Sequence, residues 1–431
     1  VSDSSTRDVV VVDGSRTPFC RSGTDYADLT TYDLGRMAVS GLLHRTAIDP
    51  AAVGLLVMGT VIADPRTSNL GREVVLGSQL PPSCPAHTVS VACVSSLQAF
   101  VDCVRAIATG AADVAIAAGS ETLSDAPIRF RRAVRKRLIA SQKARGIGDW
   151  LRLLRGLRPA DLLPEPMALA EFSTGEVMGE NCERLAKRLG ITRDDQDAYA
   201  CASHRRAARA TADGWLARQI TPAWPSAATG PVREDNGIRA DTSLEALARL
   251  RPAFDRRLGT VTAGNSSFLT DGAAAVLLAS EAAADRLGLS PLARVRATAV
   301  AALDPLEELL LGPALTLPAA LSEAGLELEQ VEVIELHEAF AAQVLAVLRC
   351  LADDDFCRQR LGLHRSFGEI DRDRLNAWGG SLSVGHPFGA TGARLITTCC
   401  HRMDAEQARH GAVAACAAGA LGIGVVLERL T

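Results

Sequence analysis

Four short segments of this chain set reactive side chains among glycines and other small residues. Cys93 lies in His87-Thr-Val-Ser-Val-Ala-Cys-Val-Ser-Ser-Leu-Gln98, where an apolar run passes into a helical pattern. A thiol at a helix N-terminus is expected to have a lowered pKa, because free N–H groups and the helix dipole favour the thiolate. His386 sits in Trp378-Gly-Gly-Ser-Leu-Ser-Val-Gly-His-Pro-Phe-Gly-Ala-Thr-Gly-Ala-Arg394, with five glycines around it. That density permits close backbone approach, and a helix is expected to begin after Ala390 beside the imidazole. Neither GxGxxG nor GxxxxGK[ST] occurs there, so His386 reads as a positioned base rather than part of a phosphate loop. Cys416 stands in Ala414-Ala-Cys-Ala-Ala-Gly-Ala-Leu-Gly-Ile-Gly424, a second thiol beside a turn whose N–H groups suit an oxyanion hole. His337 and Glu338 occur in Glu335-Leu-His-Glu-Ala-Phe-Ala-Ala-Gln343, where another strand meets a helix. Taken singly, these segments also read as a small core cysteine, a glycine-rich turn, a tight hairpin and a helix cap.

Such side chains need a scaffold of strand ends. The β-branched run at 9–12, the runs at 53–61 and 87–91, and the run at 114–118 closed by Gly119 read as buried strands. Leu34, Met37, Ala38, Gly41 and Leu42 recur at helical spacing, as do Leu97, Phe100, Val101, Val104 and Ile107. Strands alternating with helices predict an α/β fold with a parallel-rich sheet. From 124 to about 252 the strand signal fades into basic, helical and proline-punctuated sequence, which reads as an insertion. Strands are expected again at 259–262, 273–278, 331–336, 412–416 and 423–427, with a helix over 338–351. The predicted units are 1–124 completed by 252–282, an inserted loop domain at 125–251, and a second half at 283–431.

The chain has 431 residues, 46 Lys plus Arg against 50 Asp plus Glu, and 48% hydrophobic residues. At about 150 residues per domain this allows a large core and excludes a small disulfide scaffold. Eleven cysteines without a CxxC pair, and no leading apolar segment, point to a reducing cytoplasm and to no structural zinc. No apolar run approaches the ~20 residues of a membrane span. Charge is uneven: residues 129–158 hold eleven Lys or Arg and one acid, Asp149, interleaved with Trp150 and several leucines. Three readings compete for this stretch: a solvated helical face, capture of an anionic ligand or partner, and an interfacial helix on anionic lipid. A negative net charge without a binding module argues against nucleic acid.

In their joint order the four segments, together with Asp13-Gly-Ser-Arg-Thr-Pro-Phe19 and Gly259-Thr-Val-Thr-Ala-Gly-Asn-Ser-Ser-Phe-Leu-Thr-Asp-Gly-Ala273, resemble the thiolase family over nearly the whole chain. His-Glu-Ala-Phe at 337–340, where most thiolases carry Asn-Glu-Ala-Phe, resembles the β-subunit type of the fatty-acid β-oxidation trifunctional complex. The resemblance implies two duplicated βαβαβαββ halves in a five-layered αβαβα arrangement with an inserted loop domain. It implies 3-ketoacyl-CoA thiolysis by an acyl-cysteine, ping-pong route. Cys93 is then the nucleophile, His386 its base, and Cys416 the acid and base toward acetyl-CoA and CoA. His386 with His337 would form one oxyanion hole, and the N–H groups of Cys93 and Ala418 the other. Glu338 would orient the site, and Ser267 and Met178 match positions along the CoA pantetheine path.

Coenzyme A is expected as co-substrate, with no tightly bound cofactor and no metal. The resemblance implies a homodimer or higher oligomer, a hydratase/dehydrogenase partner subunit, and partner or peripheral membrane contact through 129–158. Two features depart from the family. Ala420 and Leu421 replace glycine and a polar residue after Cys416, and neither takes positive φ cheaply, so a reshaped turn is expected. Val94 and Ser95 alter the mouth of the acyl pocket. Two alternatives stay open: condensation of acyl-CoAs by the same chemistry in reverse, and a non-catalytic acyl-CoA carrier or assembly subunit.

Overall fold

The computed structural model describes residues 7–165, 170–226 and 230–430. Nine strands carry the fold: β1 (Val9–Arg16), β2 (Leu55–Gly59), β3 (Ala86–Val89), β4 (Val114–Glu121), β5 (Thr270–Ser280), β6 (Ala293–Ala302), β7 (Val333–Leu336), β8 (His410–Ala417) and β9 (Leu421–Arg429). They run in the order β7-β8-β9-β6-β1-β5-β4-β2-β3, and the short strand Cys20–Arg21 adds to β5. From the centre outward the first half reads β1, β5, β4, β2, β3, and the second reads β6, β9, β8, β7 and a parallel bridge at Leu375. The two halves repeat one pattern and meet where Val10 pairs with Arg294 and Val11 with Ala293.

The parallel-rich reading is corrected. β2, β3 and β4 are parallel, as are β7 and β8, but β5 and β9 run antiparallel to both of their neighbours. The cause is in the connections: β8 and β9 are joined by only Ala418, Gly419 and Ala420, and a link that short can only reverse the chain. β5 likewise returns from the insertion into the space between β1 and β4.

The main helices are α1 (Thr31–Thr46), α2 (Ser95–Ala108), α3 (Arg132–Ser141), α4 (Ile147–Leu154), α5 (Met178–Arg188), α6 (Arg193–Ala212), α7 (Gly312–Ala324), α8 (Ala341–Leu351) and α9 (Thr391–Glu406). α1 opens with a capping box between Thr30 and Asp33 and buries Leu34, Ala38 and Leu42 against the outer face of the first-half strands. α7 covers the outer face of the second half with Leu317 and Leu321. α2 and α9 fill the space between the halves, where Leu97, Phe100, Leu395 and Ile396 share one apolar cluster with strands from both. Helix, strands, helix pair, strands and helix make five layers held by three apolar clusters, one on each outer face and one around the central helices.

Three further differences from the expected elements have physical reasons. Residues 259–262 form only an isolated bridge, because the N–H groups of Thr260 and Val261 go to the Glu183 carboxylate at 2.8 and 2.9 Å. The helix expected from 338 begins at Ala341, since His337 and Glu338 are drawn into buried side-chain bonds instead. The strand β6 and the helix α7, whose sequences carry weak periodicity, were not anticipated.

Within the insertion, α4 buries no residue and leaves Ile147, Trp150, Leu151 and Leu154 exposed. Among the described residues no helix is long and apolar enough to cross a membrane.

Candidate active site

Cys93, His337 and Cys416 stand at the carboxyl ends of parallel strands or just beyond, where open α/β sheets assemble their sites, and His386 joins them from the loop before α9. Cys93 follows β3. The backbone turns sharply at Ala92, whose φ is +45°, and Ser95 Oγ closes the turn by accepting from Val91 N–H at 2.9 Å and donating to the Ala92 carbonyl at 2.7 Å. Cys93 is buried, and burial pushes its thiol up to about 12, outweighing the Ala418 and Cys93 N–H groups that favour the thiolate. The Glu121 and Glu171 charges add to the rise. The expectation of a lowered pKa is therefore corrected: the helix N-terminus is present, but loss of water solvation dominates. Cys93 rests as a neutral thiol and needs a base to attack.

His386, the expected base, is placed by the loop leading into α9. Gly119 and Gly389 let this loop lie directly on the strand ends of the first half: a Cβ on Gly119 would fall inside the Gly389 carbonyl oxygen, and one on Gly389 would lie 2.8 Å from the Gly59 oxygen. His386 is buried, its ring 4.2 Å from that of His337 and tilted by 46°. Burial, aided by the nearby Arg394 charge, lowers the His386 pKa to about 3 and holds His337 well below the usual range. Both rings are neutral.

Their hydrogen bonds assign opposite tautomers. Thr391 Oγ1 donates to the Pro387 carbonyl at 3.0 Å, so at 2.6 Å from His386 Nδ1 it accepts, which puts the proton on Nδ1 and leaves Nε2 bare. Ser381 Oγ accepts from Arg394 at 2.9 Å, so its own proton goes to His337 Nδ1 at 3.0 Å, which leaves His337 with Nε2–H. Both Nε2 atoms are buried without a hydrogen-bond partner among the described residues. One ring thus offers a lone pair and the other a donor. The Cys93 sulfur and a ring nitrogen of each histidine lie within 4.8 Å of one another.

Cys416 is the penultimate residue of the fully buried β8, opposite Gly422, and its thiol is pushed up by burial and by the neighbouring Cys93 thiol. The turn after it has Gly419 at φ +79° and Ala420 at φ +56°. Ala420 takes positive φ despite its Cβ. Ala420 accepts the left-handed conformation, at a cost of ~1–2 kcal/mol, and is held there by the Leu303 N–H on its carbonyl at 2.9 Å. Leu421 needs no such conformation, because it is already the first residue of β9.

Glu338 accepts from Tyr199 Oη at 2.9 Å, Asn376 Nδ2 at 2.7 Å, Ser203 Oγ at 2.8 Å and Leu382 N–H at 3.1 Å. It secures the loop that carries Ser381 rather than touching either histidine. Ser267 donates its N–H to Ala339 at 2.9 Å, beside the His337 segment. Met178 is more remote: its neighbour Gly179 packs under Phe254, whose ring meets Phe340 edge-on at 6.2 Å. Glu121 was missed by the sequence reading. It is fully buried at the end of β4, where its carboxylate accepts from Val61, Ile62 and Gly389 N–H groups at 2.9, 3.0 and 3.0 Å, and burial raises its pKa to about 7. The signal was an acid closing an otherwise apolar strand.

The profile described as "Thiolase, N-terminal domain" matches residues 9–282, and that of the "Thiolase, C-terminal domain" matches 289–429. The chain belongs to the thiolase family. A 3-ketoacyl-CoA thiolase of Pectobacterium carotovorum is 46% identical over 420 residues, covering 97% of this thiolase and 96% of that protein. The mitochondrial trifunctional enzyme subunit beta of Bos taurus is 45% identical over 422 residues, 98% and 88% of the two chains. The crystal structure of human mitochondrial 3-ketoacyl-CoA thiolase in complex with CoA is 29% identical and superposes with a TM-score of 0.84, covering 99% of this thiolase and 98% of that chain.

Proposed function

We propose that this thiolase cleaves 3-ketoacyl-CoA with CoA to acetyl-CoA and a shortened acyl-CoA, serving fatty-acid β-oxidation. The observation that carries the reading is the convergence, within 4.8 Å, of the Cys93 sulfur and a nitrogen of each of two neutral imidazoles, one of which keeps a bare Nε2 and the other an Nε2–H. Identity of 46% to a protein named for this reaction supports it.

In the first half-reaction the Cys93 sulfur attacks the keto carbon while His386 Nε2 takes its proton. The keto oxygen gains charge beside the Cys93 and Ala418 N–H groups, both already directed at the sulfur. The bond between C2 and C3 breaks, and its electron pair passes into an enolate whose oxygen is held by Nε2–H of His337 and of the newly protonated His386. Cys416 protonates C2, and acetyl-CoA leaves. In the second half-reaction the Cys416 thiolate takes the proton of incoming CoA, whose sulfur displaces Cys93 from the acyl group; His386 returns its proton to Cys93. Two modest barriers replace one high one. CoA is a co-substrate, lying along Ser267 and Met178.

The reading extends to a homodimer, a hydratase/dehydrogenase partner subunit and contact of the insertion with anionic lipid. The exposed apolar face of α4, flanked by arginines, supports the last of these. The test of the reaction is loss of 3-ketoacyl-CoA absorbance on adding CoA, across chain lengths, with wild type and Cys93→Ala together. Cleavage that vanishes in the variant is expected. A folded wild type inert at every length would overturn the reading in favour of a carrier.

A further inference from the structure

Two successive N–H groups in the turn after Cys416 have different targets. The Ala418 N–H favours the Cys93 thiolate, and Gly419 donates to Glu171 Oε1 at 2.7 Å. Glu171 lies 248 residues away in sequence and belongs to the insertion. It is held there by a small hairpin: Ala170 bridges Val177, the Glu171 N–H donates to the Glu176 carbonyl, and the Gly175 N–H donates to the Glu171 carbonyl, both at 2.8 Å. Arg184 on α5 grips the Glu176 carboxylate at 2.6 and 2.9 Å, so the hairpin is fastened to a helix packed on the second-half core.

The turn is fastened on one side, where the Ala420 carbonyl accepts from Leu303, and on the other through Gly419. Gly419 has no side chain to restrain it and sits at φ +79°, followed by Ala420 in a strained φ of +56°. Fixing the Gly419 N–H therefore fixes the far side of Ala418. We propose that Glu171 is a positioning residue of this thiolase, delivered by the insertion, whose carboxylate holds the Gly419 N–H so that the Ala418 N–H stays aimed at the oxygen of the acyl group on Cys93. The inference rests on the thiolysis reading above. A second consequence is electrostatic: seated on the N–H next to that of Ala418, the Glu171 carboxylate disfavours the thiolate of Cys93.

Glu171 is only partly buried and outside the apolar cores, so it can be replaced without breaching them. The test compares Glu171→Ala, which removes the acceptor, with Glu171→Gln, which keeps an acceptor and removes the charge. Glu171→Ala is expected to lower kcat about tenfold with KM within about twofold, and Glu171→Gln to retain at least about half of kcat. Alkylation of Cys93 by iodoacetamide at pH 8, read by mass spectrometry, is expected to quicken about threefold in both variants. A kcat within twofold of wild type in Glu171→Ala, or a loss confined to KM, overturns the positioning role. Unchanged alkylation in both variants overturns the contact of the charge with the thiol. The alkylation readout holds even if wild type cleaves no 3-ketoacyl-CoA, in which case the thiolysis reading fails on its own.

Discussion

His337 and His386 face each other at 4.2 Å with their Nδ1 atoms tied to Ser381 and Thr391, so that their partnerless Nε2 atoms differ in protonation, and the Cys93 sulfur lies within 4.8 Å of a nitrogen of each ring. Neither ring carries charge, and the thiol beside them stays protonated. With the thiol at about 12, iodoacetamide alkylation of Cys93 should rise about tenfold per pH unit from pH 7 to 10, without a plateau. A plateau near pH 7 would mean a preformed thiolate–imidazolium pair and would contradict the neutral arrangement.

The same histidines make the fold acid-sensitive. The folded pKa of His386 is about 3, below its unfolded value near 6.5, so between those pH values the unfolded chain binds more protons than the folded one. Stability is therefore full above about pH 6.5 and falls as the pH drops toward 3, with His337 adding in the same direction. Urea midpoints at pH 7 and 5 measure this. In His337→Asn the fall between those two midpoints should be smaller than in wild type.

Ser381 sets the His337 tautomer, since it is the only described group between the Arg394 guanidinium and Nδ1. Ser381→Ala should lower kcat by about tenfold or more, because the enolate loses a fixed donor, and Ser381→Thr should restore most of it. Steady-state kinetics on both variants decide the matter. An unimpaired alanine variant would show that the hydroxyl is only structural.

Cys416 is assigned to carbon and CoA protons, not to acyl transfer onto Cys93. Cys416→Ala should thus still form acyl-Cys93 from a p-nitrophenyl ester, whose leaving group needs no proton, seen by intact mass, while carbon–carbon cleavage falls about 10²–10⁴-fold. Loss of both together would remove the division of labour between the two thiols.

Gly119 has no room for a methyl group because the Gly389 carbonyl occupies that space. Gly119→Ala should cost ~1–3 kcal/mol in urea unfolding and displace the His386 loop, with a drop in kcat larger than the loss of folded protein explains. Wild-type stability and activity together would mean the loop has slack.

For the insertion, reversing the charges of Arg152, Arg155 and Arg158 should abolish co-pelleting with anionic vesicles and leave thiolysis of soluble substrates unchanged. Equal pelleting of wild type and variant would return α4 to a solvated face.

Much of this protein was readable in its residues. Glycine-rich segments around Cys93, His386 and Cys416 marked loops with reactive side chains, and alternating apolar runs marked strands and crossover helices, because both signals are local. β6, with its alternating small residues, and α7, with a proline at 318, lack that periodicity and appeared only through their packing. The antiparallel placement of β5 between β1 and β4 is a long-range pairing that no local pattern encodes.

What the sequence by itself determined is the inventory: which side chains can do chemistry, and that glycines surround them. Only the tertiary structure decided their protonation. A thiol at a helix N-terminus reads as acidic from sequence, but the sign of its shift depends on how much water the folded chain excludes, and here exclusion wins. The tautomers of His337 and His386 likewise depend on Ser381, Thr391 and Arg394, brought up by the folded loop into α9, because a proton's place is set by neighbours in space and not by neighbours in the chain.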